Sequence, residues 1–433
     1  MNMTNILPGP RTVAIAGLGS RGYNTYAECA KLFPEKMKLV AGADIRRDRL
    51  EMAREHYHIP EEMCFDSAEV MLKEERLADV MIICTQDQQH VPQAIEALKK
   101  GYHIILEKPI SPDLEQCAEL VKVAEETGRK IIVCHVLRYT PFYNKLKELL
   151  DAGAVGDIVS IQHTENVKYW HQAHSFVRGN WRRSDETSPM ILAKCCHDMD
   201  LLLWLSGKHC RAVSSYGGTY LFKPEKAPLG AAKRCLDGCQ AKEHCPYDAE
   251  KIYITNPETG VAAGKTGWPA DVVVNEPTEE AIREALKTGP YGRCVYACDN
   301  DVVDHQVVNL QMEDGASFQM VMSAFTSRGG RDTKIMGTRG EIVANLQENT
   351  ICVMPFGGEQ YTIDVSKIAS DFSGHAGGDS RMVAEFLDIV SGRIEPTVRT
   401  TSLKDSVESH YVALAAERSR VEGGRSVWLS ELI

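Results

Sequence analysis

A glycine triplet near the start of the chain constrains its fold more than any other feature. Gly17, Gly19 and Gly22 follow a short apolar run in the spacing G-x-G-x-x-G, which opens a dinucleotide-binding βαβ unit when it lies between a strand and a helix. Gly17 allows the tight turn, Gly19 lets the backbone approach a pyrophosphate, and Gly22 lets the helix pack close to its strand. We therefore expect phosphate groups at the N-terminus of the helix that follows.

The second half of this fingerprint is an acidic residue at the end of the next strand. Residues 38–44 form a second apolar run that ends in Asp44, 22 residues after Gly22. A carboxylate there accepts both ribose hydroxyls of an adenosine and repels a 2′-phosphate, so it favours NAD over NADP. Arg46 and Arg47 follow and would suit a 2′-phosphate, so the sequence leaves NADP open.

Length, charge and cysteine content narrow the class of protein. A chain of 433 residues is too long for one comfortable core, so we expect two domains. A formal charge of −11 argues against nucleic acid or an anionic membrane as a partner. No apolar run approaches a membrane span and no export signal is apparent, which predicts a cytoplasmic location and mostly reduced thiols among the 14 cysteines.

The pattern of apolar residues divides the chain into two parts. Strand-like runs that alternate with helical segments predict an α/β fold with an N-terminal Rossmann domain, residues 1–136, built on a doubly wound parallel sheet. The expected strands of this sheet are residues 13–16, 39–43, 80–84, 103–106 and 130–134.

Period-two patterning in the second part predicts a C-terminal α+β domain, residues 137–433, with a largely antiparallel open sheet for substrate binding and oligomerisation. Between about residues 222 and 300 the pattern weakens into loops rich in Gly, Pro, Lys and Cys. This stretch is expected to be an insertion with little core of its own.

A lysine follows the predicted strand 103–106, at the carboxyl edge where a doubly wound sheet binds its ligand. Glu107, Lys108 and Pro109 occupy this position. An ammonium beside a nicotinamide can hydrogen-bond the oxygen whose proton leaves as hydride departs, and partial burial would lower its pKa. Position alone fits a surface lysine at a strand end equally well.

Four motifs taken together resemble the Gfo/Idh/MocA family of oxidoreductases. They are the glycine triplet and residues 85–90, 107–109 and 196–205. The resemblance implies a Rossmann domain followed by an α/β domain whose open sheet face often assembles homodimers or homotetramers. It also implies NAD(P)-linked oxidation or reduction of a secondary alcohol on a small-molecule sugar, cyclitol or related polyol.

The same resemblance implies roles for individual residues. Lys108 would orient and help protonate the reacting oxygen, and His197 would be the general acid or base. The bond between Lys108 and Pro109 is commonly cis in the family, and we expect this here. Thr85 and His90 match a loop beside the nicotinamide ribose. The predicted cofactor contacts are Gly17, Gly19, Ser20, Arg21, Gly22, Asp44, Arg46, Thr85, Gln86, His90, Glu107 and Lys108.

One position departs from the family pattern. Members with an acid four residues before the histidine place it one helical turn away, where it can orient the imidazole. This chain has Ala193 there, followed by Lys194. A partner for His197 must come from elsewhere. The candidates are Asp198, Asp200, Asp301, Asp304 and His305.

Polar and aromatic groups of the second part predict substrate contacts. A Trp offers a flat face to a pyranose ring, while Asn and Arg can bind hydroxyls or an acidic substituent. A surface loop with a packed Trp explains the same residues equally well. The predicted contacts are Arg138, Tyr139, Asn180, Trp181, Arg182 and Asp200.

Five cysteines lie close together in the sequence of the insertion. Four thiolates can hold a tetrahedral zinc ion, so the cysteines predict a structural zinc with Cys235, Cys239, Cys245 and Cys298 as ligands and Cys294 as an alternate. Free buried thiols fit these spacings as well, an iron–sulfur cluster is a third option, and a catalytic zinc is disfavoured.

Three functions are compatible with these features. The first is an NAD-dependent oxidoreductase acting on a sugar or cyclitol secondary alcohol. The second is an NAD-dependent glycoside hydrolase that oxidises a ring carbon transiently, eliminates the aglycone and reduces the ring again. The third is a sensor that binds NAD without turnover.

Overall fold

Six short parallel strands form the first sheet of the computed structural model, which describes residues 6–369 and 373–432. Their order is β3-β2-β1-β4-β5-β6, so the direction of winding reverses between β1 and β4, and the predicted doubly wound Rossmann sheet is confirmed. The strands are β1 (Arg11–Ala16), β2 (Met37–Ala43), β3 (Cys64–Phe65), β4 (Val80–Ile83), β5 (His103–Leu106) and β6 (Ile131–Val133).

The central strands consist of apolar residues because helices cover both faces of the sheet. All four residues of β4 are fully buried, as are residues 13–16 of β1. The side chain of Asp113 caps one covering helix by accepting from the backbone of Glu115 and Gln116, and Gly128 ends that helix with a φ of +61°. The helices in this part of the chain are Ser20–Ala27, Cys29–Leu32, Arg47–Tyr57, Ala68–Met71, His90–Lys99 and Leu114–Thr127.

A helix from the far end of the sequence completes the first half. Ser373–Val390 packs its side chains Met382 and Phe386 into the same apolar cluster as Val13 and Ile15 of β1. A division of the chain at residue 136 therefore separates the first sheet from a helix that covers it.

The second sheet has nine strands, and only the pairing of β7 with β10 is parallel, which confirms the largely antiparallel prediction. Their order is β14-β13-β12-β11-β7-β10-β9-β8-β15. The strands are β7 (Ile158–Lys168), β8 (Cys210–Gly218), β9 (His305–Met312), β10 (Ser317–Thr326), β11 (Gly330–Gly337), β12 (Gly340–Asn345), β13 (Thr350–Pro355), β14 (Tyr361–Asp364) and β15 (Val427–Trp428).

Helices cover one face of this sheet, and along β9 buried side chains alternate with more accessible ones. The opposite face exposes large side chains that include Val159, Tyr216 and Val343. The main helices of this half are Pro141–Asp151, Gln172–Arg178, Met190–Ala193, Cys196–Ser206 and Leu403–Val421. No helix among the described residues combines the length and apolar character needed to cross a membrane.

The insertion has more core than its sequence predicts. Phe222, Tyr253 and Ile282 are buried in one apolar cluster together with Trp170 and Ala324 of the flanking structure. Their spacing follows neither the helical nor the strand period, which is why the pattern gave no sign of this core. The helices of the insertion include Lys251–Thr255, Ala270–Val273 and Glu279–Thr288.

The close approach at the glycine turn gives a stability prediction. Gly17 has a φ of +90°, and a Cβ there would lie 2.6 Å from the carbonyl oxygen of Cys84. Gly128 also has a positive φ but has open space around it. We expect Gly17→Ala to lower the free energy of unfolding by about 3 kcal/mol and Gly128→Ala by about 1 kcal/mol, measured by urea unfolding. Equal losses in the two variants would show that the contact with β4 is unimportant.

Candidate active site

The three glycines of the turn meet three different surroundings. A side chain at Gly17 would strike the backbone of Cys84 at the end of β4, and one at Gly22 would strike the carbonyl oxygen of Gly17. A Cβ at Gly19 would meet only the flexible guanidinium of Arg49, at 3.6 Å. Two of the glycines therefore close the turn onto its own strands, while the third leaves the backbone open to a ligand.

Asp44 ties the end of β2 to the glycine turn. Its Oδ2 accepts from the backbone N–H of Leu18 at 2.7 Å, and its Oδ1 accepts from that of Arg46 at 2.8 Å. The guanidinium of Arg46 pairs with Asp48 and lies 3.3 Å from Oδ1 of Asn275 in the insertion. The positive charge next to Asp44 is therefore already balanced by a carboxylate.

A segment of the insertion lies across the glycine turn, which the sequence did not predict. Nδ2 of Asn24 donates to Oδ2 of Asp271 at 2.9 Å, and burial raises the pKa of Asp271. The cavity between the two measures about 60 Å³, far below the roughly 300 Å³ of a small ligand pocket, so a dinucleotide needs residues 270–275 to move outward. The cavity is lined by Leu18, Gly19, Ser20, Tyr23, Asn24, Arg49, Met52, Asp271, Val272 and Asn275.

Glu107 connects the glycine turn to the loop that carries Lys108. Its Oε1 accepts from Nε of Arg21 at 2.7 Å and from the hydroxyl of Tyr26 at 2.6 Å, and its Oε2 accepts from the backbone N–H of Lys108. Arg21 also pairs with Asp379 at 2.7 Å. Burial alone would raise the pKa of Glu107, but the Arg21 and Lys108 cations outweigh burial and hold it below its ordinary value. Arg21 and Glu107 thus hold each other in place.

The loop after β4 is fixed by bonds within the first half of the chain. The hydroxyl of Thr85 donates to Oε1 of Gln93 at 2.7 Å. The ring of His90 lies 2.7 Å from the carbonyl oxygen of Pro109 and 3.1 Å from that of Thr85, so this ring connects the loop to the segment containing Lys108. The side chain of Gln86 is exposed.

Asp87, in the same loop, joins the two halves of the molecule. It is buried, its Oδ1 accepts from Nε1 of Trp181 at 3.1 Å, and its Oδ2 accepts from the hydroxyl of Ser188 at 2.6 Å. Next to it, Gln88 donates to the carbonyl oxygen of Asp185. The sequence marked Asp87 only as a departure from the family loop, and nothing in its spacing pointed to these partners.

Lys108 and His197 meet at the junction of the two halves. Nζ of Lys108 donates to the carbonyl oxygen of Ala193 at 2.7 Å, one helical turn before His197, and the peptide bond between Lys108 and Pro109 is cis, as predicted. His197 is 5 % exposed and its Nδ1 lacks a hydrogen-bond partner among the described residues. Burial first, and then the charge of Lys108, hold the pKa of His197 well below its ordinary value, so the imidazole is neutral at neutral pH.

The acids proposed as partners of His197 are occupied elsewhere. Asp198 accepts from Nε of Arg331 at 2.6 Å and lies 2.9 Å from Nε2 of His163. Asp200 and Arg138 form a buried bidentate ion pair at 2.8 and 2.6 Å. The remaining candidates have partners other than His197 among the described residues: Asp301, Asp304 and His305.

The predicted substrate contacts fall into two groups. Arg138 and Asp200 bind each other, and Tyr139 is buried with its hydroxyl accepting from the backbone N–H of Thr401 at 3.0 Å. The second group, residues 180–182, lies at the surface beside the loop after β4, where the last of the three pairs with two surface carboxylates. The structure brings only this second group to the junction beside Asp87.

Further charged and ring groups surround His197 that the sequence analysis missed. Nζ of Lys194 lies 3.2 Å from Oε1 of Glu165, and the ring of His375 lies 6.2 Å from that of His197. Burial and then the charge of Lys194 lower the pKa of His171, so this ring lies close to them. The one signal available beforehand was the position of Lys194 next to the substituted Ala193.

The structure does not support the predicted zinc ligands. In the described part of the chain, no group of three or more His, Cys, Asp or Glu side chains is placed to hold a metal ion. Sγ of Cys298 contacts the carbonyl oxygen of Cys294 at 3.3 Å. The cysteines that share a small cavity are Cys235, Cys239, Cys245 and Cys294.

A buried histidine beneath the Lys108 loop gives a pH prediction. Nε2 of His410 accepts from the backbone N–H of Ile110 at 2.7 Å, and burial and neighbouring His135 lower the pKa of His410 from 6.5 to about 3. Below pH 6.5 the unfolded chain binds a proton that the folded chain does not, so stability present above that pH is lost as the pH falls toward 3.

We compare the wild type with His410→Gln, which keeps an acceptor for Ile110. Between about pH 7 and about pH 5, the wild type should lose about 2 kcal/mol more unfolding free energy than the variant. Parallel stability curves in urea would contradict this assignment.

Sequence and structure comparisons agree with this geometry. The putative oxidoreductase YteT of Bacillus subtilis is 24% identical over 397 residues, which cover 87% of this chain and 88% of that protein. Inositol 2-dehydrogenase of Corynebacterium glutamicum is 28% identical over 136 residues, 31% of this chain and 37% of that protein.

Solved structures share the whole fold at low identity. An Agrobacterium radiobacter oxidoreductase in complex with NAD⁺, L-tartaric acid and magnesium has a TM-score of 0.68 at 15% identity, covering 98% of this chain and 99% of that chain. The WlbA dehydrogenase of Chromobacterium violaceum, in complex with NADH and UDP-GlcNAcA, has a TM-score of 0.66 at 18% identity, with coverage of 98% and 99%.

Models of two family domains match the two halves. The oxidoreductase family NAD-binding Rossmann fold matches residues 11–135, and the oxidoreductase family C-terminal alpha/beta domain matches residues 147–429. The chain therefore belongs to the Gfo/Idh/MocA family of oxidoreductases.

Proposed function

We propose that the protein is an NAD-dependent oxidoreductase that transfers hydride between nicotinamide and the secondary alcohol or ketone of a sugar, sugar derivative or cyclitol. The observation that carries the proposal is the meeting of Lys108 with a neutral His197 that lacks an Nδ1 partner. Relatives named for inositol, and a solved relative that holds NADH and UDP-GlcNAcA, support the substrate class.

The turn and the end of β2 fit a dinucleotide in their chemistry. Gly19 leaves the backbone open, and Asp44 keeps acceptor capacity beyond its two backbone bonds. When bound, NAD supplies the hydride acceptor or donor at its nicotinamide ring. The residues that we propose to hold it, directly or by fixing the loops that do, are Gly17, Gly19, Ser20, Arg21, Gly22, Asp44, Arg46, Thr85, Gln86, His90, Glu107 and Lys108.

The charges around Asp44 favour NAD over NADP. A 2′-phosphate would face the carboxylates of Asp44 and Asp48, and the guanidinium of Arg46 is already paired with Asp48. A second phosphate would have to break that pair before it gained a cation.

Lys108 and His197 divide the work on the substrate oxygen. The ammonium of Lys108 exchanges its bond to the Ala193 carbonyl for one to the substrate oxygen and orients it. In oxidation, the hydroxyl proton passes to neutral His197 while hydride leaves the carbon that bears the hydroxyl. In reduction, both transfers run in reverse.

We propose that Asn180, Trp181 and Arg182 contact the substrate at the surface beside Asp87. Arg138, Tyr139 and Asp200 act from behind as positioning residues, because their polar groups are satisfied within the protein. The exposed apolar side chains on the open sheet face support a homodimer or homotetramer.

A redox-neutral glycoside hydrolase is the second candidate, and one observation favours it. Residues 270–275 lie across the glycine turn and bond to Asn24 and Asp48. A dinucleotide held beneath this segment exchanges slowly, so a reaction that returns the hydride to the same substrate avoids exchange in each turnover.

The proton roles are tested by Lys108→Ala and His197→Ala, with Lys122→Ala at an exposed helix position as the control. We expect each site variant to lower kcat/KM by about 100-fold or more, because general acid–base groups contribute at least that much. NAD affinity, measured by calorimetry, should stay within a few-fold of the wild type. Full activity of both site variants would leave only a cofactor-binding role.

The two candidate reactions differ in where the electrons end. We expect incubation with NAD and a panel of free sugars, uronates, inositols and glycosides to produce net NADH, followed by absorbance. Release of aglycone from glycosides without net NADH would replace the dehydrogenase by the hydrolase.

A further inference from the structure

Four cysteines of the insertion surround one small cavity although they come from separate segments. Cys235, Cys239 and Cys245 lie on one loop, and Cys294 lies on another. The two loops are joined by backbone bonds in which the N–H of Cys235 donates to Gly292 at 3.0 Å and that of Cys294 donates to Lys233 at 2.9 Å. These bonds hold Cys235 and Cys294 on the same face of a two-stranded bridge.

A buried cation faces the same cavity. The side chain of Arg178 is 1 % exposed, and its Nη2 donates to the carbonyl oxygen of Tyr247 at 2.7 Å and lies 3.7 Å from Sγ of Cys235. Its Nη1 is buried without a hydrogen-bond partner, and no carboxylate in the described residues lies within ion-pair distance of it. Asp248 also lines the cavity, but its Oδ1 accepts from the backbone of Lys251.

An uncompensated guanidinium in the interior is costly, so the cavity calls for negative charge beside Arg178. The only titratable groups that line the cavity besides Asp248 and Arg178 itself are four thiols and two tyrosines. Thiols become strong anions when they ligate a metal. A metal centre therefore turns the neutral thiols into the missing counter-charge.

We propose that Cys235, Cys239, Cys245 and Cys294 bind a [4Fe–4S] cluster in this cavity. Four thiolates and the oxidised cluster carry a net charge of about −2, which Arg178 partly balances. The described residues offer no group placed to hold a single metal ion, and the four thiols stand around a cavity instead of converging. A cluster fits this arrangement because each thiolate binds its own iron atom.

The assignment distinguishes two neighbouring thiols. Cys294 lines the cavity, whereas Cys298 does not and directs its sulfur to the carbonyl oxygen of Cys294. The cluster has a structural role, since it joins the two loops of the insertion. It does not depend on the proposed hydride transfer.

The first experiment uses the full chain, purified without oxygen and then incubated with ferrous iron and sulfide. Iron, acid-labile sulfide and zinc are quantified, and the visible spectrum is recorded before and after reduction with dithionite. We expect about four iron and four sulfide per chain, with absorption that reduction bleaches. One zinc per chain without iron, or a metal-free protein after reconstitution, would overturn the proposal.

The second experiment compares Cys294→Ser with the matched control Cys298→Ser. Cys294→Ser should lose most of its bound iron, and Cys298→Ser should keep the iron content and spectrum of the wild type. Circular dichroism and NAD affinity report whether each variant is folded. Retention of the cluster by Cys294→Ser, or its loss from Cys298→Ser in a folded protein, would overturn the ligand set.

Discussion

The carboxylate of Glu107 is the contact on which the geometry of the site depends. It holds Arg21 and Tyr26 of the helix that follows the glycine turn, and it accepts from the backbone of Lys108. Through Arg21 the same network reaches Asp379 on the helix from the end of the chain. One buried acid thus fixes the distance between the turn that faces the cofactor and the lysine that faces the substrate.

A matching of charges behind the site explains why His197 stays neutral despite two nearby aspartates on its own helix. Asp198 is bound by Arg331 and Asp200 by Arg138, in both cases through short buried contacts. Each carboxylate is therefore neutralised by its own arginine. The remaining influences on His197 are burial and the cation of Lys108, and both favour the uncharged ring.

The sequence predicted what repeats or lies close along the chain. Strands such as β4 are continuous apolar runs, and the glycine spacing, the lysine after β5 and the cis bond at Pro109 all follow from local signals. The two-residue strand β3 is too short to show a period. The partner of Asp200 was not predictable, because it is 62 residues away and its choice depends on how the two sheets meet.

The helix Ser373–Val390 has a consequence for how the chain is made. Its apolar side chains Met382 and Phe386 fill the face of the first sheet beside Val13 and Ile15. During synthesis those strands leave the ribosome hundreds of residues before their cover does. The amino-terminal half must therefore wait with part of its core open to water, and it closes only when translation is nearly finished.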